Sequence, residues 1–267
     1  MLSQSDTRLL HALKRRKHRD AEGLFVAEGV RVVEELVASG AVIQLALVSM
    51  PIEGSARGAA LAEALARRGR VEHVRDAEIE KLASTQSPQG VLAVAAIPRA
   101  TTATVRLGAR STCLLLDAVQ DPGNFGTLVR SADVFRVDAV VALPGTVDAW
   151  NPKSVRAAAG SSFRVPILDL GWGEATAWLR PAGFRFLVAD AAGTPVESVK
   201  PAPRTALVVG NEGAGVSAEA QAAADQQVAV PISGPAESLN VGVAAGILLY
   251  VLTRSDGLGF RVGGSGS

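Results

Sequence analysis

Five polar residues sit where glycine and proline interrupt the apolar runs of this 267-residue chain. Asn124 and Arg130 follow the turn signal Asp121-Pro-Gly, and Glu212 lies within Val209-Gly-Asn-Glu-Gly-Ala-Gly-Val-Ser217. Ser238 and Asn240 end the stretch Val230-Pro-Ile-Ser-Gly-Pro-Ala-Glu-Ser-Leu-Asn240. With the neighbouring backbone amides they suit binding and positioning of polar groups better than metal or covalent catalysis. No Gly-x-Gly-x-x-Gly follows the first strand-like run and no Gly-Lys-Ser/Thr loop occurs, which disfavours dinucleotide binding and nucleotide hydrolysis. A Gly-x-Ser-x-Gly elbow and a Cys/His pair for nucleophilic attack are both missing. The histidines, His11, His18 and His73, all lie in the first part of the chain, and metal-ligand spacing is absent.

The elements that must position these residues are short apolar runs. Ala206-Leu-Val-Val209 precedes one loop and Val228-Ala-Val-Pro-Ile232 begins the other. Such β-branched runs, bounded by Gly and Pro, predict buried parallel strands. Open α/β sheets bind ligands where strands end and loops lead on to helices. Gly210, Gly213 and Gly215 allow positive φ and close approach of a ligand to the backbone. Further strands are predicted at Cys113–Leu116, Ala139–Leu143, Val165–Leu168 and Phe184–Ala189, about six in all for this part of the chain. Leu128, Val129, Ala132 and Phe135 mark one face of a helix and put Arg130 on another. Asn151 caps a helix with Pro152 at its first position. The last helix, from about Leu239 to Arg254, is apolar nearly all round, which places it in a core or an interface, with Leu248 or Val251 expected in or beside a dimer contact.

Upstream, strands are predicted at Val42–Val48, Val71–Val74 and Gly90–Ile97, with helices among them, giving a small α/β domain over residues 1–98. Residues 99–111 read as a linker opening on small polar residues, 112–255 as a second α/β domain, and 256–267 as a flexible glycine-rich tail. Residues 5–19 carry Arg8, Lys14, Arg15, Arg16, Lys17 and Arg19 beside the helical stripe of Leu9, Leu10 and Leu13. Arg15, Arg16 and Lys17 on this stretch are either a solvated face or a patch for RNA phosphates. The net charge of +1 excludes a globally basic nucleic-acid protein but not such a local patch. One cysteine, Cys113, excludes an intrachain disulfide framework and suits a reducing compartment; it reads as a buried structural thiol. There is no apolar run of membrane-spanning length and no signal-peptide core, so a cytoplasmic protein without a membrane partner is expected.

Three stretches carry a family resemblance. Asp121-Pro-Gly-Asn-Phe-Gly-Thr-Leu-Val-Arg130, Val209-Gly-Asn-Glu-Gly-Ala-Gly-Val-Ser217, and Val230-Pro-Ile232 with Glu237-Ser-Leu-Asn240 resemble, in order, the motifs of the SpoU-type (TrmH-like) RNA ribose 2′-O-methyltransferases of the SPOUT superfamily. They span residues 114–254. The upstream domain, ending in Gln86-Ser-Pro-Gln-Gly-Val91, is similar to the small ribosomal-protein-like RNA-binding domain that often precedes this catalytic domain. The resemblance implies S-adenosylmethionine as methyl donor, a C-terminal trefoil knot, and a homodimer. It implies that Gly210, Val230, Ile232 and Leu239 hold the adenosine, and that Arg130 is catalytic. Asn124, Glu212, Ser238 and Asn240 complete the candidate site; loop-shaping hydrogen bonds stand beside substrate contact for Asn124 and Glu212, and helix capping for Ser238. Trp150 either stacks on a base or, the favoured reading, packs at the dimer contact. Ribosomal RNA is the expected substrate, with transfer RNA as the alternative. A non-catalytic RNA-binding protein on the same fold is the reading from a different class.

Overall fold

The computed structural model describes residues 2–235 and 238–254, without the side chains of Pro51 and Glu53. Glu237 and the tail expected over 256–267 lie outside them. The chain forms two compact units, the first of residues up to 100 with 121–130 and 147–166, the second of 101–120, 131–146 and the described residues from 167 on.

The first unit opens with α1 (Gln4–Ala12) and α2 (Arg16–Glu22). It continues through β1 (Leu24–Glu28), α3 (Val30–Ala38), β2 (Ile43–Ser49), the single turn α4 (Met50–Glu53), α5 (Ala56–Ala66), β3 (Arg70–Val74), α6 (Asp76–Leu82) and β4 (Val91–Ala96). Its sheet has the order β1-β4-β2-β3, antiparallel except for the β2–β3 pair. Alternation along the strands divides the core in two. Phe25, Ala27, Ala46, Val48, Val91 and Ala93 meet Val33, Leu36, Leu61 and Leu65 of α3 and α5. Leu24, Val26, Leu45, Leu47, Leu92 and Val94 meet Leu10, Leu13, Ile79 and Leu82 on the other face. Because both faces are covered, all five residues of β1 are buried. Sequence periodicity missed this strand for that reason: it has no polar side to alternate with.

Residues 5–19, expected as one helix, are two. Arg15 is extended (φ −104°, ψ 132°) and serves as N-cap of α2 rather than lying on the same helix as α1. Arg19, grouped by sequence with the basic residues, is 3% exposed. It pairs with Asp148 and donates to the carbonyl oxygen of Leu13 at 2.7 Å. Trp150, half-buried, packs on Phe25 with ring centroids 5.0 Å apart, and Phe163 sits on the same ring at 5.7 Å.

The second unit is a six-stranded sheet, as the apolar runs predict. In chain order come β5 (Ser111–Leu116), α7 (Pro122–Val134), β6 (Ala139–Ala142), α8 (Pro152–Ala158), β7 (Ile167–Asp169), α9 (Trp172–Leu179), β8 (Arg185–Pro195), β9 (Arg204–Val209), α10 (Ala218–Ala223), β10 (Gln226–Ala229) and α11 (Val241–Arg254). Of these, α8 and residues 122–130 of α7 belong to the first unit. The strand order is β10-β8-β9-β5-β6-β7 and every neighbouring pair is parallel. All six residues of β5 are buried. Burial, reinforced by Asp138, pushes the Cys113 thiol far above its ordinary range, as expected of a structural cysteine. Asn151 caps α8 as read, accepting from the amides of Lys153 and Ser154 at 2.9 and 3.0 Å. In α11 the uniform apolar character resolves into two faces. Gly242, Ala245, Leu248 and Leu249 are buried, which puts Leu248 in the core of its own chain, and Val251 is half-buried. Val243, Ile247 and Tyr250 are exposed instead, Val243 at 50% and Tyr250 at 42%. No helix among the described residues is long and apolar enough to cross a membrane.

Candidate functional site

The loop after β9 is built around a backbone that leaves no room for a side chain. A Cβ on Gly210 would run into the carbonyl oxygen of Gly215 and come within 2.7 Å of the Val216 side chain. Folding back this tightly is closed by two bonds, Asn211 N–H to Gly215 O at 2.8 Å and Gly215 N–H to Asn211 O at 3.0 Å. Gly215 alone of the loop's three glycines takes a positive φ, +71°. The side chain of Asn211 stitches the interior: its Oδ1 accepts from the amides of Gly213 and Ala214 at 2.9 and 3.0 Å, and its Nδ2 donates to the carbonyl of Ala118 at 3.0 Å.

The far end of the loop is held by a buried carboxylate. Asp117, one residue past β5, accepts from the Ser217 amide at 2.6 Å and from the Trp172 indole at 3.4 Å. Ser217 in turn caps α10, its hydroxyl accepting from the Ala220 amide at 3.2 Å. Asp117 and Asn211 were passed over as positioning residues in the sequence. The available signal was a lone carboxylate closing an otherwise apolar strand, because a buried charge of that kind is paired. Glu212, exposed on the same loop, is not among the donors and acceptors just named.

The connection after β10 carries the remaining candidates of the second unit. Val230 is half-buried, and Ile232 and Leu239 are exposed despite their apolar side chains. Ser238 is exposed. The cap of α11 belongs to Asn240, whose Oδ1 accepts from the amides of Gly242 and Val243 at 2.9 and 3.3 Å.

Asn124 and Arg130 lie on the part of α7 that belongs to the first unit. Asp121 Oδ1 accepts from the Asn124 amide at 2.8 Å and so starts the helix. Gly126 allows α7 to press on α8, since a Cβ there would lie 2.7 Å from the Ala158 nitrogen. Leu128, Val129 and Ala132 are fully buried and Arg130 is exposed on another side, as the spacing predicts. The Arg130 guanidinium makes no hydrogen bond or ion pair among the described residues. Arg15, Arg16 and Lys17 are exposed in the first unit, where Arg16 forms a solvent-exposed pair with Asp20 at 3.5 Å.

Known proteins share both parts of this chain. Residues 111–250, just over half of it, match the SpoU rRNA Methylase family. Residues 5–93 match the MRM3-like substrate binding domain. The 23S rRNA (guanosine(2553)-2'-O)-methyltransferase RlmP of Bacillus subtilis is 36% identical over 248 residues, 92% of this chain and 94% of the relative. The 23S rRNA (uridine(2479)-2'-O)-methyltransferase of Streptomyces viridochromogenes is 29% identical over 259 residues, 91% of this chain and 86% of the relative. The crystal structure of the SpoU methyltransferase AviRb from Streptomyces viridochromogenes, in complex with the cofactor AdoMet, superposes with a TM-score of 0.86 at 28% identity, covering 96% of this chain and all of that one. A family match over the whole parallel sheet, joined to a relative alike along almost its full length, makes the assignment plain: the chain belongs to the SpoU rRNA methylase family.

Proposed function

We propose that this protein transfers the methyl group of S-adenosylmethionine to a ribose 2′-hydroxyl of ribosomal RNA. The observation that carries this function is the loop after β9, folded back so tightly that a side chain at Gly210 would meet the Gly215 backbone and the Val216 side chain. Ile232 and Leu239, apolar yet exposed, are surfaces in want of a cover. A backbone cradle and uncovered apolar side chains fit a flat group such as adenosine, whose edge needs amides and carbonyls and whose faces need apolar contact. Gly210, Val230, Ile232 and Leu239 are the residues that hold it in this proposal. Bound there, S-adenosylmethionine supplies a methyl group on a positively charged sulfur.

The chain's own residues must prepare the hydroxyl, a poor nucleophile at neutral pH. Arg130 presents an exposed guanidinium without a protein partner among the described residues. An arginine keeps its proton, so it does not serve as base. It holds an RNA phosphate in two-pronged fashion and stabilises the alkoxide as charge develops, while the phosphate or a water takes the proton. Asn124, Glu212 and Ser238 orient the ribose, and Asn240 fixes the start of α11 beneath the same connection.

Residues 1–98 are proposed to bind RNA and 112–255 to carry the methyl transfer, with Arg15, Arg16 and Lys17 on phosphates. Ribosomal RNA is favoured over transfer RNA because both named relatives are 23S rRNA methyltransferases. The exposed stripe Val243, Ile247 and Tyr250 supports a homodimer. The packing of α11 against β9, after the chain has left the sheet at its β10 edge, supports a C-terminal trefoil knot. A lone buried thiol and an RNA substrate support a cytoplasmic protein. The test is to incubate the protein with radiolabelled S-adenosylmethionine and total RNA from a strain lacking its gene, and to map 2′-O-methyl positions. Label at one position of large-subunit ribosomal RNA is expected. Label in transfer RNA alone would move the substrate. Calorimetry showing no S-adenosylmethionine binding would leave an RNA-binding protein without catalysis.

A further inference from the structure

Ser49, the last residue of β2, is 1% exposed, and its hydroxyl has no hydrogen-bond partner among the described residues. Buried hydroxyls are normally paired. This one faces a cavity of about 370 Å³ inside the first unit, a volume at the small end of ligand sites, which span roughly 300–1,000 Å³. Ile52, Ile79 and Pro88 supply apolar walls, and Asp76, Glu80 and Gln89 supply polar ones. Gly90 keeps the hydroxyl uncovered: its φ is +75°, and a Cβ there would stand 2.5 Å from the Ser49 oxygen.

The segment 84–90, of which Pro88, Gln89 and Gly90 line the cavity, is held at both ends. Glu28 accepts from the backbone and hydroxyl groups of Ser84 and Thr85. Gln89 Oε1 accepts from the Val30 amide at 3.0 Å, which leaves the Gln89 amide nitrogen to donate elsewhere. The cavity is therefore preformed rather than shaped by its occupant.

Its chemistry selects the occupant. Two carboxylates repel phosphate and require donors. Apolar walls suit a flat ring. A nucleobase with N–H groups on its edge meets both demands, and guanine meets them best. Its N1–H and N2 amino group form an adjacent pair of donors for one carboxylate, and its O6 accepts from Ser49 or Gln89. Unpaired bases splayed out of loops and bulges are what proteins read in RNA by sequence. We propose that this cavity takes one unpaired guanine of the RNA substrate, an assignment that rests on the RNA-methylating function above.

The test uses the full chain and hairpin RNAs identical except for one bulged nucleotide: G, inosine, A, C or U. Anisotropy at fixed salt should show the G hairpin bound most tightly. Inosine, which lacks the N2 amino group, should bind more weakly by about 5–150-fold, the range for one two-pronged base contact. Asp76 and Glu80 are exposed, so the double variant Asp76→Asn/Glu80→Gln should fold normally. It should abolish the preference for the G hairpin over the inosine hairpin. Equal affinities for all five hairpins, or a double variant that keeps the preference, would overturn the assignment while leaving RNA binding intact. Guanosine monophosphate competing as well as the hairpin would make this a free-nucleotide site and also overturn it. Failure to bind any hairpin would remove the RNA reading together with the cavity's role.

Discussion

At the end of β1 the carboxylate of Glu28 accepts from the amide and hydroxyl of Ser84 at 2.9 and 2.5 Å, and from the amide and hydroxyl of Thr85. One residue past β5, in the other unit, Asp117 accepts from the Ser217 amide at 2.6 Å and the Trp172 indole at 3.4 Å. Both are buried acids that hold a loop of small residues, yet their bonds are distributed differently. Glu28 concentrates four donors from two adjacent residues on one point. Burial works to raise its pKa, but the hydrogen bonds from Ser84 and Thr85 outweigh that and hold it below the ordinary range. Asp117 divides its two oxygens between the cap of α10 and the first residue of α9, so it sets the glycine loop against the rest of its sheet. A loop without large side chains has little packing of its own; a buried carboxylate gives it position, because an unpaired one is too unfavourable to tolerate. One such anchor holds the segment that leads to the proposed base cavity, and the other holds the loop proposed to take S-adenosylmethionine.

In the proposed mechanism catalysis belongs to neither anchor, and the largest effect should come from Arg130, the residue proposed to touch substrate. Arg130→Ala is expected to slow single-turnover methyl transfer by roughly 10²–10³-fold, as for loss of one charge-stabilising donor. Its melting temperature should not change, since the side chain is exposed. Arg130→Lys should recover little, because an ammonium lacks the two-pronged geometry. Near-normal single-turnover rates in Arg130→Ala would take catalysis away from it.

The two anchors should then separate in a crossed experiment. Asp117→Asn is expected to weaken S-adenosylmethionine binding by about tenfold through loss of a buried hydrogen bond, with RNA affinity unchanged. Glu28→Gln should do the reverse, lowering RNA affinity and costing about 1.5–3 kcal/mol of stability. The pH dependence sharpens this. A carboxyl whose folded pKa is depressed stabilises the fold above its ordinary value of 4.5 and loses that contribution as pH falls through the lower folded value. Wild-type melting should therefore drop with acidification below about pH 4.5 more steeply than that of Glu28→Gln. If each variant disturbs both ligands equally, the loops are not separately anchored.

Two smaller effects concern surfaces. If α11 forms the proposed homodimer contact, Ile247→Asp, on its exposed side, should raise the dissociation constant of that dimer at least about tenfold by placing a charge in an apolar contact, whereas Leu248→Asp, on the buried side, should unfold the protein. Sedimentation that shows an unaltered dimer for Ile247→Asp would move the interface elsewhere. Replacing Arg15, Arg16 and Lys17 with Ala should flatten the salt dependence of RNA binding by roughly 0.7–0.9 per lost phosphate contact. An unchanged slope would make them a solvated face.

Much of the chain from β5 onward was legible from local spacing. Alanine- and valine-rich runs of four to six residues marked parallel strands, and the period of Leu128, Val129 and Ala132 turned Arg130 outward. Asn151 followed by Pro152 announced its own cap. These signals depend only on residues within a turn or two of one another, so the sequence by itself determined the strands, the helix faces and the motif loops. It did not determine which apolar face lies uncovered or which charge has a partner. Leu248 and Ile247 are equally apolar, and only packing against the sheet made one core and the other surface. Arg19 reads as one more basic residue until folding brings it to Asp148, 129 positions away. Trp150 finds Phe25 in the same manner, and Asp117 finds Ser217 100 positions on. Such pairs are decided by tertiary structure because burial, which makes an unpaired charge or an uncovered ring unfavourable, is a property of the folded neighbourhood and not of the local chain.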